Sequence, residues 1–107
     1  MLGLGGNAVS KRFLLNNLVI GNIVAASSLE VDVGLAASSG VGPGSVGIAA
    51  PNAAMTGAIG INPVRSKVAD QITLQFVNAS AGAIDPVDTL EFDVFMFTPV
   101  GALQQTI

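Results

Sequence analysis

Two runs of alternating residues constrain this chain more than any other feature. In residues 71–76, Ile72, Leu74 and Phe76 share one side, and Gln71, Thr73 and Gln75 share the other. In residues 90–96, Leu90, Phe92, Val94 and Met96 share a side, with Glu91 and Asp93 opposite. A period of two sends successive side chains to opposite faces of a β-strand, so each run specifies a strand with one apolar face. The connection between them is rich in Asn, Ser, Gly, Asp and Pro, the residues of turns and loops. Four of the five phenylalanines (Phe76, Phe92, Phe95 and Phe97) fall within residues 68–97, which marks this span as a core hairpin. Phe95 and Phe97 break the pattern, because they share the side of Glu91 and Asp93. Two outward phenylalanines in a chain with no Trp or Tyr point to a face covered by another subunit.

Further strands follow from the same rule. In residues 29–35, Leu29, Val31, Val33 and Leu35 alternate with Glu30, Asp32 and Gly34. Residues 45–50 form a short strand with Val46 and Ile48 expected inward. Residues 58–67 form another around Ile59, Ile61 and Val64, where Pro63 predicts an edge position or a bulge. Gly21-Asn22, the Gly/Ser/Pro segment 36–44 and Pro51-Asn52 separate these runs. Residues 11–18 admit a short helix, but the paired Asn residues and the β-branched end weigh toward an extended segment. Residues 1–22 are expected to form an N-terminal extended arm. It serves either as a first core strand or as a docking arm presenting Phe13, Leu14 and Leu15 to a neighbour. Several short strands between turn clusters predict an all-β fold, an antiparallel β-sandwich of jelly-roll or Ig-like type. At 107 residues the whole chain, 1–107, is expected to be one domain.

Charge is the unusual part of the composition. Only 10% of residues are charged, against about 25% in an ordinary soluble domain. A small domain has a large surface for its volume, so such a surface is expected to be covered by copies of itself or by another protein. The four basic residues, Lys11, Arg12, Arg65 and Lys67, form no stripe, and the net charge is −3, so no nucleic-acid partner is expected. The chain has no Cys and no His. That removes disulfides, the usual zinc ligands and the commonest general base, so no enzymatic activity, cofactor or metal is expected. The apolar stretch 41–61 contains Pro43, Pro51 and Asn52, so no membrane span is expected. A secretory leader is not expected either, since Asn16, Asn17 and Asn22 interrupt the apolar run after Lys11 and Arg12.

Several local patterns invite chemistry and are better explained without it. Residues 42–47 match G-x-G-x-x-G, but Pro43 lacks an N–H and a β-like run follows where a dinucleotide site needs a helix. Asp85, Asp88 and Asp70 offer calcium-type oxygen ligands, yet Asp-Pro-Val-Asp reads as a turn. Glu30 with Asp32, and Glu91 with Asp93, lie on strand faces at i, i+2 spacing. That spacing suits a carboxylate pair and, more simply, a solvated or subunit-facing surface. Arg65 and Lys67 share a face and are expected to pair with acidic neighbours. Asn78-Ala79-Ser80 is a formal glycosylation sequon, expected to be a polar turn.

These residues, taken in order, carry a resemblance. An alternating strand is followed by a Gly/Ser loop, a small-residue strand, P-N-A-A-M-T-G-A-I-G-I-N-P-V-R, V-A-D-Q-I-T-L-Q-F-V-N-A-S-A-G-A-I-D-P and a final strand. This resembles a β-sandwich domain of tailed-bacteriophage virion proteins, including capsid decoration (cement) proteins and head or tail fibre proteins. In that pattern a residue like Arg65 precedes a strand ending in F-x-N, here Phe76-Val77-Asn78. A small-residue loop then closes on a residue-Pro step, here Asp85-Pro86. The likeness spans residues 27–97. It implies a structural role on the virion surface, as a homo-oligomer, typically a trimer, that bridges subunits of the major capsid protein. The interface residues expected on this basis and from the patterning are Phe13, Leu14, Leu15, Arg65, Phe95 and Phe97. The competing expectation is a receptor- or glycan-binding module of a phage fibre or bacterial surface protein. The absence of Trp and Tyr, the sugar-stacking aromatics, counts against it.

Overall fold

The computed structural model describes residues 8–53, 55, 58–87 and 90–100. Among them the fold is all-β, with seven antiparallel strands in one sheet and no helix. The strands are β1 (Ala8–Leu15), β2 (Ser27–Gly34), β3 (Val46–Pro51), β4 (Ile59–Ile61), β5 (Val64–Arg65), β6 (Gln71–Asn78) and β7 (Phe92–Pro99). Their order across the sheet is β1-β7-β3-β5-β6-β2, with β4 also paired to β6.

The two alternating runs form β6 and β7, and their apolar rows are the core. Ile72, Leu74, Phe76, Phe92, Val94 and Met96 are fully buried, and Leu90 lies beside them. The two strands are not a hairpin, however. β7 pairs with β1 and β3, whereas β6 pairs with β2, β4 and β5. The connection 79–91 is too long for a tight turn to force them side by side. Instead the Phe76 and Phe92 rings meet edge to face, with centroids 5.7 Å apart and planes at 65°. Rings on strands that are not sheet neighbours touch only if the sheet bends back on itself. The bend runs through β5, whose Arg65 pairs with Val46 of β3 on one side and Thr73 of β6 on the other.

Pro63 marks this corner. Ile61 pairs with Phe76 and Arg65 with Thr73, so four residue steps on one strand oppose three on β6. One residue is therefore extra, a bulge at the position where Pro63 has no N–H to contribute. Asn62 stabilises it twice, donating its backbone N–H to the Gln75 carbonyl (2.9 Å) and its amide Nδ2 to Gln75 Oε1 (2.7 Å).

The long connection is held by Asn78, which is 1% exposed. Its Nδ2 donates to the carbonyls of Ile23 (3.0 Å) and Gly82 (2.9 Å), and its Oδ1 accepts from the Ser80 N–H (2.9 Å) and hydroxyl (2.7 Å). Beside it, Ile23 and Ile84 exchange backbone hydrogen bonds. The sequon asparagine is thus a fully bonded internal clamp with no accessible amide.

One open expectation narrows and another changes. The stretch 1–22 is expected as an arm serving either as a first core strand or as a docking arm. Among its described residues, Ala8–Leu15 lies in the sheet while 16–22 carry no strand. Ala8–Leu15 pairs with β7 along its whole length, and Leu15 and Ile20 belong to the core. Val46 and Ile48, expected inward, point outward at 55% and 59% exposure, and Gly47 and Ala49 take the inner side. The cause is close approach of β3 to β7. A Cβ on Gly47 would lie 2.1 Å from the Phe95 carbonyl oxygen and 2.6 Å from Met96 Sδ. Only glycine fits there, so its two neighbours must face away.

Candidate functional site

The outward face of β1, β7 and β3 collects most of the exposed large apolar side chains of the sheet. Directly opposed residues in an antiparallel ladder share a face. The register places Leu14, Asp93 and Ala50 in one row, Arg12, Phe95 and Ile48 in the next, and Ser10, Phe97 and Val46 in a third. Phe95 and Phe97 are 36% and 42% exposed, Leu14 is 56% exposed, and Val46 and Ile48 are more than half exposed. The face is therefore apolar across three strands, interrupted by one ion pair. Arg12 donates from Nη2 (2.7 Å) and Nε (2.9 Å) to Asp93 Oδ1, and its guanidinium carbon lies 5.8 Å from the Phe95 ring centre. An exposed pair of this kind contributes about 0–1 kcal/mol, so its main effect is to hold Arg12 over the ring.

Of the residues expected at an interface, Leu14, Phe95 and Phe97 come together on this face. Arg65 sits at its rim, opposite Val46, beside a shallow groove of about 370 Å³ lined by Val46, Asn62, Pro63, Val64 and Arg65. Phe13 and Leu15 do not join them. They alternate with Leu14 and so turn to the inner side, where Leu15 is buried and Phe13 packs against the core. Val46 and Ile48 belong to the face and were missed. The signal that could have found them is Gly47, the residue whose side demands the tightest approach.

Five of the carboxylates, Glu30, Asp32, Asp70, Glu91 and Asp93, are occupied in structural roles. Asp32 accepts from the Thr73 hydroxyl (2.7 Å) and faces Lys67 (3.5 Å), which also meets Glu30 at 3.3 Å. The Thr73 hydrogen bond, followed by the Lys67 charge, holds the Asp32 carboxyl below its usual range, and Glu30 and Asp32 together raise Lys67. Lys67 thus makes the ion pairs expected of it, and among the described residues none involves Arg65. Glu91 exchanges hydrogen bonds with Asn52, accepting from Nδ2 at 3.0 Å and donating its N–H to Oδ1 at 3.1 Å.

Asp70 adopts the left-handed conformation (φ 58°) and ties down the segment after β2. It accepts from the Ser39 hydroxyl (2.7 Å), the Ser39 N–H (2.9 Å) and the Ser38 N–H (3.3 Å), and these bonds lower its pKa. Lys11 reaches across from β1 to the Ser39 carbonyl. Asp88 lies outside the described residues, and among those described no group of three or more carboxylates gathers as a metal cage would require. Within 42–47, residues 42–45 form a turn closed by Ser45 N–H to the Gly42 carbonyl (2.9 Å), and 46–47 already begin β3. No family model, no curated protein and no solved structure matches this chain.

Proposed function

We propose that this chain is a non-enzymatic virion structural protein, a capsid decoration (cement) protein that binds the outside of a phage head and stabilises the shell. The single observation behind it is the outward face of Leu14, Val46, Ile48, Phe95 and Phe97. A contiguous apolar face on a charge-poor domain is what an assembly surface looks like before its partner is in place. The antiparallel sheet, folded about the Phe76–Phe92 contact, is read as a β-sandwich of jelly-roll or Ig-like type. The partners are further copies of the chain, as a homotrimer, and the major capsid protein.

Full burial of an aliphatic or Phe side chain is worth about 1.5–3 kcal/mol. Scaled by their exposed fractions, the five residues supply about 4–7 kcal/mol per copy before the costs of association. That sum gives only weak binding for a single copy, so stable decoration requires several copies engaged together.

The test is whether the protein travels with phage heads through a density gradient and leaves them on mild denaturation before the shell opens. A double variant, Phe95→Ser with Phe97→Ser, should keep its β circular dichroism and lose particle occupancy. A chain that stays in the soluble fraction while heads sediment would refute the proposal.

A further inference from the structure

The seven-stranded sheet ends in two open strands, β1 and β2. Each is eight residues long, lacks proline, and has no strand on its outer side among the described residues. An edge of that length presents unpaired N–H and C=O groups as a template for another strand. The residues whose backbone faces outward can be identified. Leu35 donates its N–H to Asp70, its direct opposite, so alternate residues of β2 turn to β6 and leave Ser28, Glu30 and Asp32 at the open edge. Asn52 donates to the Glu91 carbonyl, which turns Asp93, Phe95 and Phe97 toward β3. The other residues of β7 therefore serve β1, and Ser10, Arg12 and Leu14 keep free backbone groups at its outer edge.

The two edges differ in charge. β1 carries Lys11 and Arg12, which with the Asp93 paired to Arg12 leaves a net positive edge. β2 carries Glu30 and Asp32, which with the Lys67 between them leaves a net negative one. Joining β1 to β1, or β2 to β2, brings like charges together, and like charges directly opposed destabilise a ladder. Joining β1 to β2 brings opposite charges together.

We propose that a second copy of this chain docks head to tail, its β1 adding antiparallel to the open edge of β2 with Arg12 opposite Asp32. This deepens the proposed function, since it rests on the reading that the chain self-assembles. In that register Phe13 faces Val31 and Leu15 faces Leu29, so the half-buried Phe13, Val31 and Leu29 gain cover beside the already buried Leu15, while Arg12 and Asp32 share the outer face. Such a contact is heterologous, using two different surfaces. It closes into a ring when the rotation between copies allows and otherwise propagates.

The chain contains no cysteine, so introduced thiols report on this contact alone. Ser10 and Gly34 face each other in the proposed register, and a Cβ on Gly34 meets nothing within 4 Å. Full-length Ser10→Cys and Gly34→Cys proteins are mixed, treated with a short bismaleimide and resolved by mass. Mixed dimers should exceed either same-variant dimer by roughly tenfold, and the excess should shrink at high salt. Light scattering on the unmodified chain separates the two ideas. An oligomer that gives no mixed cross-link, or mainly same-variant cross-links, overturns head-to-tail pairing and leaves self-assembly standing. A monomer at tens of micromolar, in order of magnitude the range where weak subunit contacts form, overturns both.

Discussion

Replacing Gly47 by alanine should be the most damaging methyl addition in the described sheet. The added Cβ would sit 2.1 Å from the Phe95 carbonyl oxygen, 3.0 Å from the Phe95 carbonyl carbon and 2.6 Å from Met96 Sδ. Met96 can shift its flexible thioether, but the Phe95 backbone is held between β1 and β3. Relief therefore requires β3 to move away from β7, which weakens the ladder from Val46–Phe97 to Pro51–Phe92. Overpacking usually costs about 1–3 kcal/mol. Because backbone resists here, the expected loss is at the top of that range, about 3 kcal/mol, out of a total stability of about 5–15 kcal/mol. For a domain of this size that lowers Tm by about 12–24 °C. The assay is thermal and urea unfolding followed by circular dichroism, with Gly60→Ala as the control. Gly60 is also a strand glycine, and nothing lies within 4 Å of its added Cβ. The control should be neutral or up to about 1 kcal/mol more stable. If Gly47→Ala unfolds within about 0.5 kcal/mol of the parent, the close approach of β3 to β7 is wrong. The outward orientation of Val46 and Ile48 then loses its cause.

The remaining expectations concern the clamps and the acid response. Asn78→Ala removes one of the two hydrogen bonds to each of the Ile23 and Gly82 carbonyls and leaves the Ser80 N–H without its partner. It should cost about 2–3 kcal/mol and speed hydrogen exchange at Ile23 and Ile84 before the rest of the sheet. Asp70 and Asp32 have folded pKa values below the ordinary 3.8. As pH falls, the unfolded chain therefore takes up their protons first. The stability they contribute is complete above the ordinary carboxylate range and is lost as pH drops through their lowered values. Asp70→Asn should flatten that acid limb in pH-dependent unfolding, and an unchanged limb would show that the Ser38–Ser39 bonds do not hold in solution. Removing residues 1–20 should abolish cooperative unfolding, because β1 and the core side chains Leu15 and Ile20 go with it. A deletion variant with full β-signal and an unchanged melting transition would mean that β1 is dispensable.

The strands and their apolar rows were legible in the sequence, since alternation depends only on which neighbours are apolar. Ile72, Leu74 and Phe76, and Leu90, Phe92, Val94 and Met96, are buried as their spacing requires. Pro63 marked the bulge because a missing N–H cannot be accommodated in an unbroken ladder. The outward placement of Phe95 and Phe97 was legible too, because Glu91 and Asp93 fix which side of that strand meets water.

Strand pairing was not legible. β6 and β7 looked like hairpin partners and instead face one another across a folded sheet. Alternation says which side of a strand is apolar, and it carries no record of which strand lies beside it. The direction of Val46 and Ile48 was hidden for a related reason. In Val46-Gly47-Ile48-Ala49 both sides are apolar, so hydrophobicity does not choose between them. What chooses is the space left by β7, a quantity that exists only when two strands distant in sequence are packed together. The sequence alone thus determined the buried rows of β2, β6 and β7, but not that of β3. The tertiary structure decided the neighbours, and through Gly47 it decided that an apolar face three strands wide would be turned outward.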